Sequence, residues 1–403
     1  MKYIIVLGDG MADLPIKELN NQTPLQAAKT PNMDWLAARS ELGLAHTIPE
    51  GMKPGSDVAN LAVLGYNPAQ YYSGRSPLEA LSIGVDMKPT DIALRTNIIT
   101  VSDEDGIPFE ERTIIDHSSG EISTEDAEIL LNACREELEN DEFKFYTGTS
   151  YRHLCIWDKG SVVNLAQPHD HLEEKAGPYL PDESIAGGAV RRMVERSFEI
   201  LNHHPINEKR RAEGKNVANA LWFWGAGTRP ALDSFEEKTG LKGAMISAVD
   251  LLKGIAVGTG MKVVQVEGAN ALLETNYEGK AQAALDVLLK DNYDFVYIHV
   301  EAPDEMGHQG SYERKIKAIE YIDGRLIGPL LAGLEGEEFR MLVMPDHPTP
   351  IAVRTHTSDP VPFMIYDSRK ERKEIQFYNE EDAAKTGLVI DPGYKTVNRL
   401  LEI

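Results

Sequence analysis

The chain has 403 residues, and its 64 acidic and 41 basic residues give it a net charge of −23. Such an acidic chain is a poor match for nucleic acid or an anionic membrane as the main partner, because phosphate groups need a basic face. It contains no apolar run of about 18 residues, so no membrane span is expected, and its two cysteines cannot build a disulfide framework, which suggests a cytoplasmic location.

Strand-like and helix-like patterns alternate along the chain. Apolar runs of strand length lie at 3–10, 93–101, 152–158, 220–227, 262–268, 295–300 and 340–346. Helical spacing follows at 30–40, 124–139, 183–201, 247–257, 279–290 and 311–333. This alternation predicts an α/β protein with a doubly wound, mainly parallel sheet.

The middle of the chain differs in composition, with polar turns, charged helices and a loop rich in His and Pro. We therefore predict a smaller α+β domain at 86–234, inserted into a core domain formed by 1–85 and 235–403. Gly and Pro break the pattern near Gly84 and between Gly227 and Ser234, where we expect the hinges.

Residues of metal-ligand type follow three of the predicted strands, and one more lies about ten residues beyond the last of them. They are Asp9, Asp304, His308, Asp346, His347 and His356. Each motif alone is more often a surface dipeptide or a helix cap. In a parallel sheet, however, ligand sites lie beyond the carboxyl ends of the strands, so the shared position indicates a metal site.

The mixture of carboxylates and imidazoles suits Mn²⁺, Zn²⁺ or Fe²⁺ better than Mg²⁺ or Ca²⁺, which prefer oxygen ligands alone. Six ligands are more than one catalytic ion usually needs, so we expect two ions and no organic cofactor. Asp304 and His308 are four residues apart and face the same side of a helix, where they can bind a single ion.

Ser56 follows Pro54-Gly55 and precedes a helical apolar pattern, which puts its hydroxyl at a helix N-terminus that favours an anion. A serine at this position is most commonly only an N-cap. Beside a metal ion it can also become a nucleophile. The surrounding sequence is not G-x-S-x-G, which argues against an acyl-transfer serine hydrolase.

The sequence resembles the archaeal-type cofactor-independent phosphoglycerate mutases of the alkaline phosphatase superfamily. The resemblance runs nearly end to end and is carried by LGDGMADLPI, PGSDVANLAVLGY, EAPDEMGH, MPDHPTP and THTSDPVPF, with TGTSYRH, QPHD, HPINEKR and NYEGKA between them. It implies interconversion of 3-phosphoglycerate and 2-phosphoglycerate through a phosphoserine on Ser56, without 2,3-bisphosphoglycerate.

The resemblance also implies a role for each ligand. Asp304, His308 and His356 are expected to hold one ion. The second ion is expected to be held by Asp9, Ser56, Asp346 and His347. Mn²⁺ is the expected metal, with Zn²⁺ or Fe²⁺ as alternatives. Lys253 is expected to be a further cation at the phosphoryl group, although a solvated helix lysine explains its local sequence equally well.

The inserted domain is expected to hold the glycerate part of this small phosphorylated substrate. The candidate residues are His153, His169, Asp170, Arg210 and Arg211. Arginine suits the carboxylate because its guanidinium binds in a bidentate fork. The plainer alternatives are a polar loop at HDH and a solvated helix face at KRRAEG.

One departure from the family pattern bears on the substrate. Trp224 stands where these mutases carry an arginine before Gly-Ala-Gly, and Arg229 is our candidate for the missing charge. A homoserine kinase-like phosphotransferase on the same scaffold is therefore the alternative. It would use the phosphoserine route, because the chain has no P-loop. A phosphatase or phosphodiesterase, and a metal-binding protein without catalysis, are less favoured.

Overall fold

The computed structural model describes residues 1–370 and 376–403 and divides into two compact units. The core unit comprises Met1–Tyr72 and Ala231–Ile403, and the insert unit is the continuous segment Ser73–Pro230. This division differs from the predicted boundaries after residue 85 and before residue 235. Helix Arg75–Ser82, which the prediction gave to the core, packs against strands of the insert unit.

The described residues form thirteen strands, numbered in chain order. They are β1 Lys2–Gly8, β2 Glu41–Ala45, β3 Ile92–Val101, β4 Ile114–Asp116, β5 Phe143–Tyr146, β6 Arg152–Trp157, β7 Ala220–Thr228, β8 Gly243–Ile246, β9 Lys262–Val264, β10 Phe295–Val300, β11 Phe339–Met344, β12 Val361–Asp367 and β13 Val389–Ile390.

Sixteen α-helices lie in the same part of the chain. They are α1 Pro24–Ala27, α2 Pro31–Ala37, α3 Ser56–Val63, α4 Pro68–Tyr71, α5 Arg75–Ser82, α6 Thr124–Leu138, α7 Ile185–Leu201, α8 Pro205–Ala212, α9 Phe235–Thr239, α10 Asp250–Gly258, α11 Tyr277–Leu289, α12 Ala302–His308, α13 Tyr312–Tyr321, α14 Gly328–Gly333, α15 Glu380–Lys385 and α16 Thr396–Leu401.

The core unit is built on an eight-stranded sheet in the order β13-β2-β12-β11-β1-β10-β8-β9. The five strands from β11 to β9 run parallel, whereas β12 is antiparallel to both of its neighbours. The predicted α/β fold with a mainly parallel sheet is confirmed. Because β1 pairs with β10 on one side and β11 on the other, the carboxyl ends of these three strands are adjacent.

Strand β1 shows why the apolar runs are continuous. Ile4 and Val6 belong to a hydrophobic cluster with residues of α11 and α13, and Ile5 and Leu7 alternate with them and are equally buried. A parallel strand buried on both faces needs apolar residues at every position, because successive side chains point to opposite faces.

The insert unit has its own antiparallel sheet centred on β3, which pairs with β6, β7 and β4. Helix α7 packs against β7, and α6 packs against α7. Cys134 and Cys155 are buried in this unit as free thiols, and the cytoplasmic location that we inferred from the cysteine count stays a prediction.

The helix predicted over 311–333 is not continuous. It consists of α13, a π-helical segment over Ile322–Ile327, and α14. The Asp323 carboxylate in the π-helical segment accepts hydrogen bonds from the backbone of Asn32 and Met33, which ties this segment to the start of α2. In the part of the chain that the structure describes, no helix is long and apolar enough to cross a membrane.

Candidate active site

The adjacent carboxyl ends of β1, β10 and β11 bring the predicted ligand residues together. Asp9 directly follows β1, Asp304 and His308 lie in α12 just after β10, and Asp346 and His347 follow β11. The sixth residue, His356, lies in the segment between β11 and β12. We refer to these six residues as the ligand cluster.

One group of ligand atoms is formed by Asp304, His308 and His356, which offer atoms within 4.8 Å of one another. His308 Nε2 lies 3.1 Å from Asp304 Oδ2 and 3.1 Å from His356 Nε2. His356 Nε2 lies 3.5 Å from Asp304 Oδ1. His308 Nδ1 faces the carbonyl oxygen of Arg354 at 3.0 Å, so its Nε2 is the nitrogen left for the cluster.

A second group is formed by Asp9, Asp304 and His347, all of them buried. His347 Nε2 lies 3.5 Å from Asp9 Oδ1 and 3.5 Å from Asp346 Oδ2. Asp304 therefore belongs to both groups, whereas the resemblance assigns it to one ion only.

Ser56 is the first residue of α3, and the N-cap position is taken by Gly55. Its hydroxyl oxygen lies 3.1 Å from His347 Nε2. The capping role that sequence alone favours for a serine at a helix start is therefore not the one it has. The side chain points toward the ligand cluster.

Asp346 is fully buried and held by hydrogen bonds from both sides. Its Oδ1 accepts from the backbone N–H groups of Gly10 at 3.1 Å and His347 at 2.9 Å. Its Oδ2 accepts from Asn60 Nδ2 at 2.8 Å, and the Oδ1 of Asn60 accepts from the Tyr297 hydroxyl. These bonds fix the carboxylate in one orientation.

The cluster places several carboxylates close together in a buried environment. Burial, with the carboxylates of Asp346 and Asp304 nearby, raises the pKa of Asp9 well above its usual value. For Asp304, burial acts in the same direction, but the hydrogen bonds from His308 and His356 outweigh it and hold its pKa well below normal. The same bond to Asp304 raises the pKa of His308 to about 9.

These residues fit divalent cations. Asp9 Oδ1 is buried and has no hydrogen-bond partner among the described residues, although a buried oxygen normally has one. A cation beside this oxygen would supply the missing partner and offset the repulsion between the carboxylates. The donor set of carboxylates and imidazoles is the one that Mn²⁺, Zn²⁺ and Fe²⁺ accept.

Several residues that surround the cluster were not predicted from the sequence. His299 Nε2 lies 2.9 Å from Asp9 Oδ2, and the Thr349 hydroxyl donates to Asp304. Lys280 is buried and donates to the carbonyl oxygen of His299 at 2.7 Å. His299 lies inside an apolar strand and Lys280 in a helix, where His and Lys carry no distinguishing spacing, and Thr349 lies in the segment after β11.

The predicted cation Lys253 lies on α10 and forms an ion pair with Asp250 at 3.1 Å. Its predicted role at the phosphoryl group stays a prediction.

The predicted substrate residues all lie in the insert unit, and most already have protein partners. His153 is buried on β6, where its Nδ1 accepts from the Gly148 N–H, and burial lowers its pKa to about 3. Arg210 is buried and donates to the carbonyl oxygens of Asn216 and Ser119.

The other predicted substrate residues are more exposed. Arg211 donates to Asp103 and Asn202 at 2.9 and 2.8 Å. Arg229 is half-exposed, with Asp86 4.0 Å away, and His169 and Asp170 form an exposed turn after β6.

A group of rings in the insert unit was likewise not predicted. The Trp224 ring lies beneath the guanidinium of Arg95, 4.7 Å from its centroid, and its Nε1 donates to Asn97 at 3.0 Å. His169 packs edge-on against Trp224 and against His117, with centroids 5.4 and 5.8 Å apart. The cation beside Trp224 is Arg95, and the role predicted for Arg229 in supplying the missing charge stays a prediction. Arg95 is also paired with Glu79.

The fold and the ligand cluster define an α/β protein with a candidate two-ion centre at the carboxyl ends of parallel strands. Residues 37–207 match the family model of 2,3-bisphosphoglycerate-independent phosphoglycerate mutase. Because full-length relatives of the same name are 46% and 49% identical, the chain belongs to this family, as its motifs predicted.

Two relatives match this chain over nearly its whole length. A protein of Methanosarcina acetivorans named 2,3-bisphosphoglycerate-independent phosphoglycerate mutase is 49% identical over 391 residues, which are 96% of each chain. A Geobacter sulfurreducens protein named as a probable enzyme of this kind is 46% identical over 410 residues, with 100% of both chains covered.

Solved structures agree with the fold. The PH0037 protein of Pyrococcus horikoshii is 32% identical, with a TM-score of 0.82 over 100% of this chain and 97% of its own. The cofactor-independent phosphoglycerate mutase of Thermoplasma acidophilum is 29% identical, with a TM-score of 0.65 over 100% of this chain and 99% of its own.

Proposed function

We propose that the protein interconverts 3-phosphoglycerate and 2-phosphoglycerate through a phosphoserine on Ser56, at a centre of two divalent ions. The names of its full-length relatives support the reaction. The observation that carries the proposal is the position of the Ser56 hydroxyl, 3.1 Å from His347 in the ligand cluster and at the start of α3.

Asp304, His308 and His356 would hold one ion, and Asp9, Ser56, Asp346 and His347 the other. The Asp304 carboxylate would also reach the second ion, because it belongs to both groups of ligand atoms. When bound, Mn²⁺ or a similar ion lowers the pKa of a hydroxyl and neutralises charge on the phosphoryl oxygens. The chain itself contributes the N-terminus of α3, whose amide groups and helix dipole favour an anion next to Ser56.

The phosphoryl group would move by way of Ser56 from one oxygen of the substrate to another, so no second substrate is needed. Ser56 Oγ loses its proton and forms a bond to phosphorus while the bond from phosphorus to the oxygen on carbon 3 breaks, and that oxygen takes up a proton. The hydroxyl on carbon 2 then loses its proton and attacks the phosphoserine. The bond to Ser56 breaks, and the serine regains a proton. No nucleotide or 2,3-bisphosphoglycerate is consumed.

The other residues predicted from the sequence would contact the substrate. Lys253 would approach the phosphoryl group, and His153, His169, Asp170, Arg210, Arg211 and Arg229 would serve the glycerate part. Among these, His169 has the strongest support, because it is partly exposed and packs against Trp224. Arg95, which lies over Trp224, is an additional candidate for carboxylate recognition.

A second candidate function is a kinase-like phosphotransfer to an acceptor such as homoserine. The observation that favours it is Trp224, where the mutases of this family carry an arginine, because an aromatic ring gives no charge-assisted bond to a carboxylate. The phosphoserine route and the ligand cluster would be unchanged, and only the acceptor would differ.

The test supplies 3-phosphoglycerate and Mn²⁺ to the purified protein and follows 2-phosphoglycerate with enolase. We expect turnover of roughly 1–1,000 per second, lost in Ser56→Ala and kept in Ser123→Ala, which removes an N-cap hydroxyl of α6 in the insert unit. Release of inorganic phosphate without 2-phosphoglycerate would instead indicate a phosphatase. Transfer to homoserine from a nucleotide, without mutase turnover, would indicate the kinase-like function.

A further inference from the structure

His299 lies on β10, five residues before Asp304, and its side chain is almost completely buried. It is not a member of either group of ligand atoms. Both of its ring nitrogens nevertheless have polar partners. Nε2 lies 2.9 Å from Asp9 Oδ2, and Nδ1 lies 3.3 Å from Ser247 Oγ.

These partners determine which ring nitrogen carries the hydrogen. Ser247 Oγ already accepts from the Val249 N–H at 3.0 Å, so its own hydroxyl hydrogen is available for Nδ1. Asp9 must be ionised when it acts as a metal ligand. An ionised carboxylate can only accept hydrogen bonds, and a bare Nε2 would place a lone pair against it. His299 is therefore the Nε2–H tautomer, and it donates to Asp9.

The hydrogen bond from His299 distinguishes the two carboxylate oxygens of Asp9. Oδ2 is occupied by His299, whereas Oδ1 is buried, has no hydrogen-bond partner among the described residues and lies 3.5 Å from His347 Nε2. Lys280 anchors the backbone at this point by donating to the His299 carbonyl oxygen. The orientation of Asp9 is thus set from β10, the strand next to β1.

We propose that His299 is a positioning residue that directs Asp9 Oδ1 toward the ion shared with His347, and that Ser247 holds His299 in the required tautomer. This inference rests on the two-ion centre of the proposed function. Outer partners of metal ligands commonly change metal affinity by about 10–100-fold. The effect should be confined to one of the two ions.

The test uses metal-free full-length protein titrated with Mn²⁺ alone, with binding followed by calorimetry and by the electron paramagnetic resonance of free Mn²⁺. His299→Leu removes the donor, and His299→Gln keeps an N–H near the Nε2 position. Ser247→Ala removes only the hydroxyl that fixes the tautomer. The melting temperature of each metal-free variant reports any structural damage separately.

We expect wild type to bind two ions, and His299→Leu to bind one of them about 10–100-fold more weakly. His299→Gln should restore most of the lost affinity. Ser247→Ala should have an affinity for this ion between those of wild type and His299→Leu. Unchanged binding of both ions by His299→Leu, or equal weakening by His299→Gln, would overturn the inference and leave the two-ion proposal standing. Absence of Mn²⁺ binding by wild type would overturn both. If His299→Leu does not fold, unchanged binding by Ser247→Ala overturns the inference.

Discussion

The ammonium nitrogen of Lys315 lies 2.7 Å from a carboxylate oxygen of Asp13, and both side chains are buried. Lys315 also donates to the carbonyl oxygens of Ala12 and Thr349. One helix residue of α13 therefore ties the segment after β1 to the segment after β11. These are the two segments that carry Asp9 and His347.

Replacing Lys315 by Met should lower the free energy of unfolding by about 3–5 kcal/mol, because it leaves the buried Asp13 carboxylate without its cation. Urea unfolding of the metal-free protein measures this loss. The matched control is Lys385→Met, which breaks an exposed pair with Glu381 and should change stability by no more than about 0.5 kcal/mol. Equal effects of the two substitutions would contradict the prediction.

The shared position of Asp304 gives a prediction about stoichiometry. Asp304→Asn should abolish tight binding of both ions, because the carboxylate belongs to both groups of ligand atoms, whereas His308→Ala should affect one ion only. Mn²⁺ titration counts the ions. His203→Ala, an exposed histidine of the insert unit, should bind as wild type does. An Asp304→Asn protein that keeps one ion at full affinity would show that the carboxylate serves a single site.

The buried imidazole of His153 predicts acid sensitivity in the insert unit. Burial lowers its pKa to about 3, below the value of about 6.5 expected in the unfolded chain. As pH falls below about 6.5 the unfolded state takes up a proton that the folded state excludes, so stability is lost, by about 2 kcal/mol at pH 5.

His153→Asn keeps an acceptor for the Gly148 N–H and does not titrate. Its urea midpoint should therefore fall less than that of wild type between pH 7.5 and pH 5. The exposed substitution His203→Asn should leave the wild-type pH dependence in place. A steep acid loss that persists in His153→Asn would assign the sensitivity to another group.

Gly10 offers a prediction about space in the ligand cluster. Its φ is +58°, and a Cβ there would collide with the Thr349 hydroxyl and the Asp304 carboxylate. Gly10→Ala should therefore abolish turnover and weaken Mn²⁺ binding. Gly336→Ala has a similar backbone conformation, φ +85°, with open space around the added carbon, and serves as the control for strain alone. Similar metal binding by both variants would count against a direct effect at the cluster.

Strands β1, β10 and β11 were predictable because parallel strands buried on both faces give unbroken apolar runs, and the candidate ligand residues follow the ends of these strands. Strands β2, β8 and β13 of the same sheet were not predicted, because segments of two to five residues give no extended apolar run. Strand β12 was not predicted. It contains Pro362, and a proline argues against a strand because it has no N–H to donate. Pro362 lies at the end of β12 that pairs with β2 only, before the residues of β12 that pair with β11.

The supporting residues escaped prediction for a different reason. His299 and Tyr297 lie in an apolar strand, and Lys280 and Lys315 lie in helices where a lysine normally indicates a solvated face. Their roles depend on partners that are distant in sequence. Lys315, for example, is 302 residues from Asp13, and no local pattern reports such a contact.

The pairing of β1 has a consequence for how the protein is made. Both neighbours of β1, the strands β10 and β11, come from the last third of the chain, beyond the whole insert unit. At about 5–20 residues per second on the ribosome, β1 waits roughly 15–60 s for its first partner, while the continuous insert unit can already fold. An apolar strand exposed for that long on a nascent chain is a natural substrate for a chaperone.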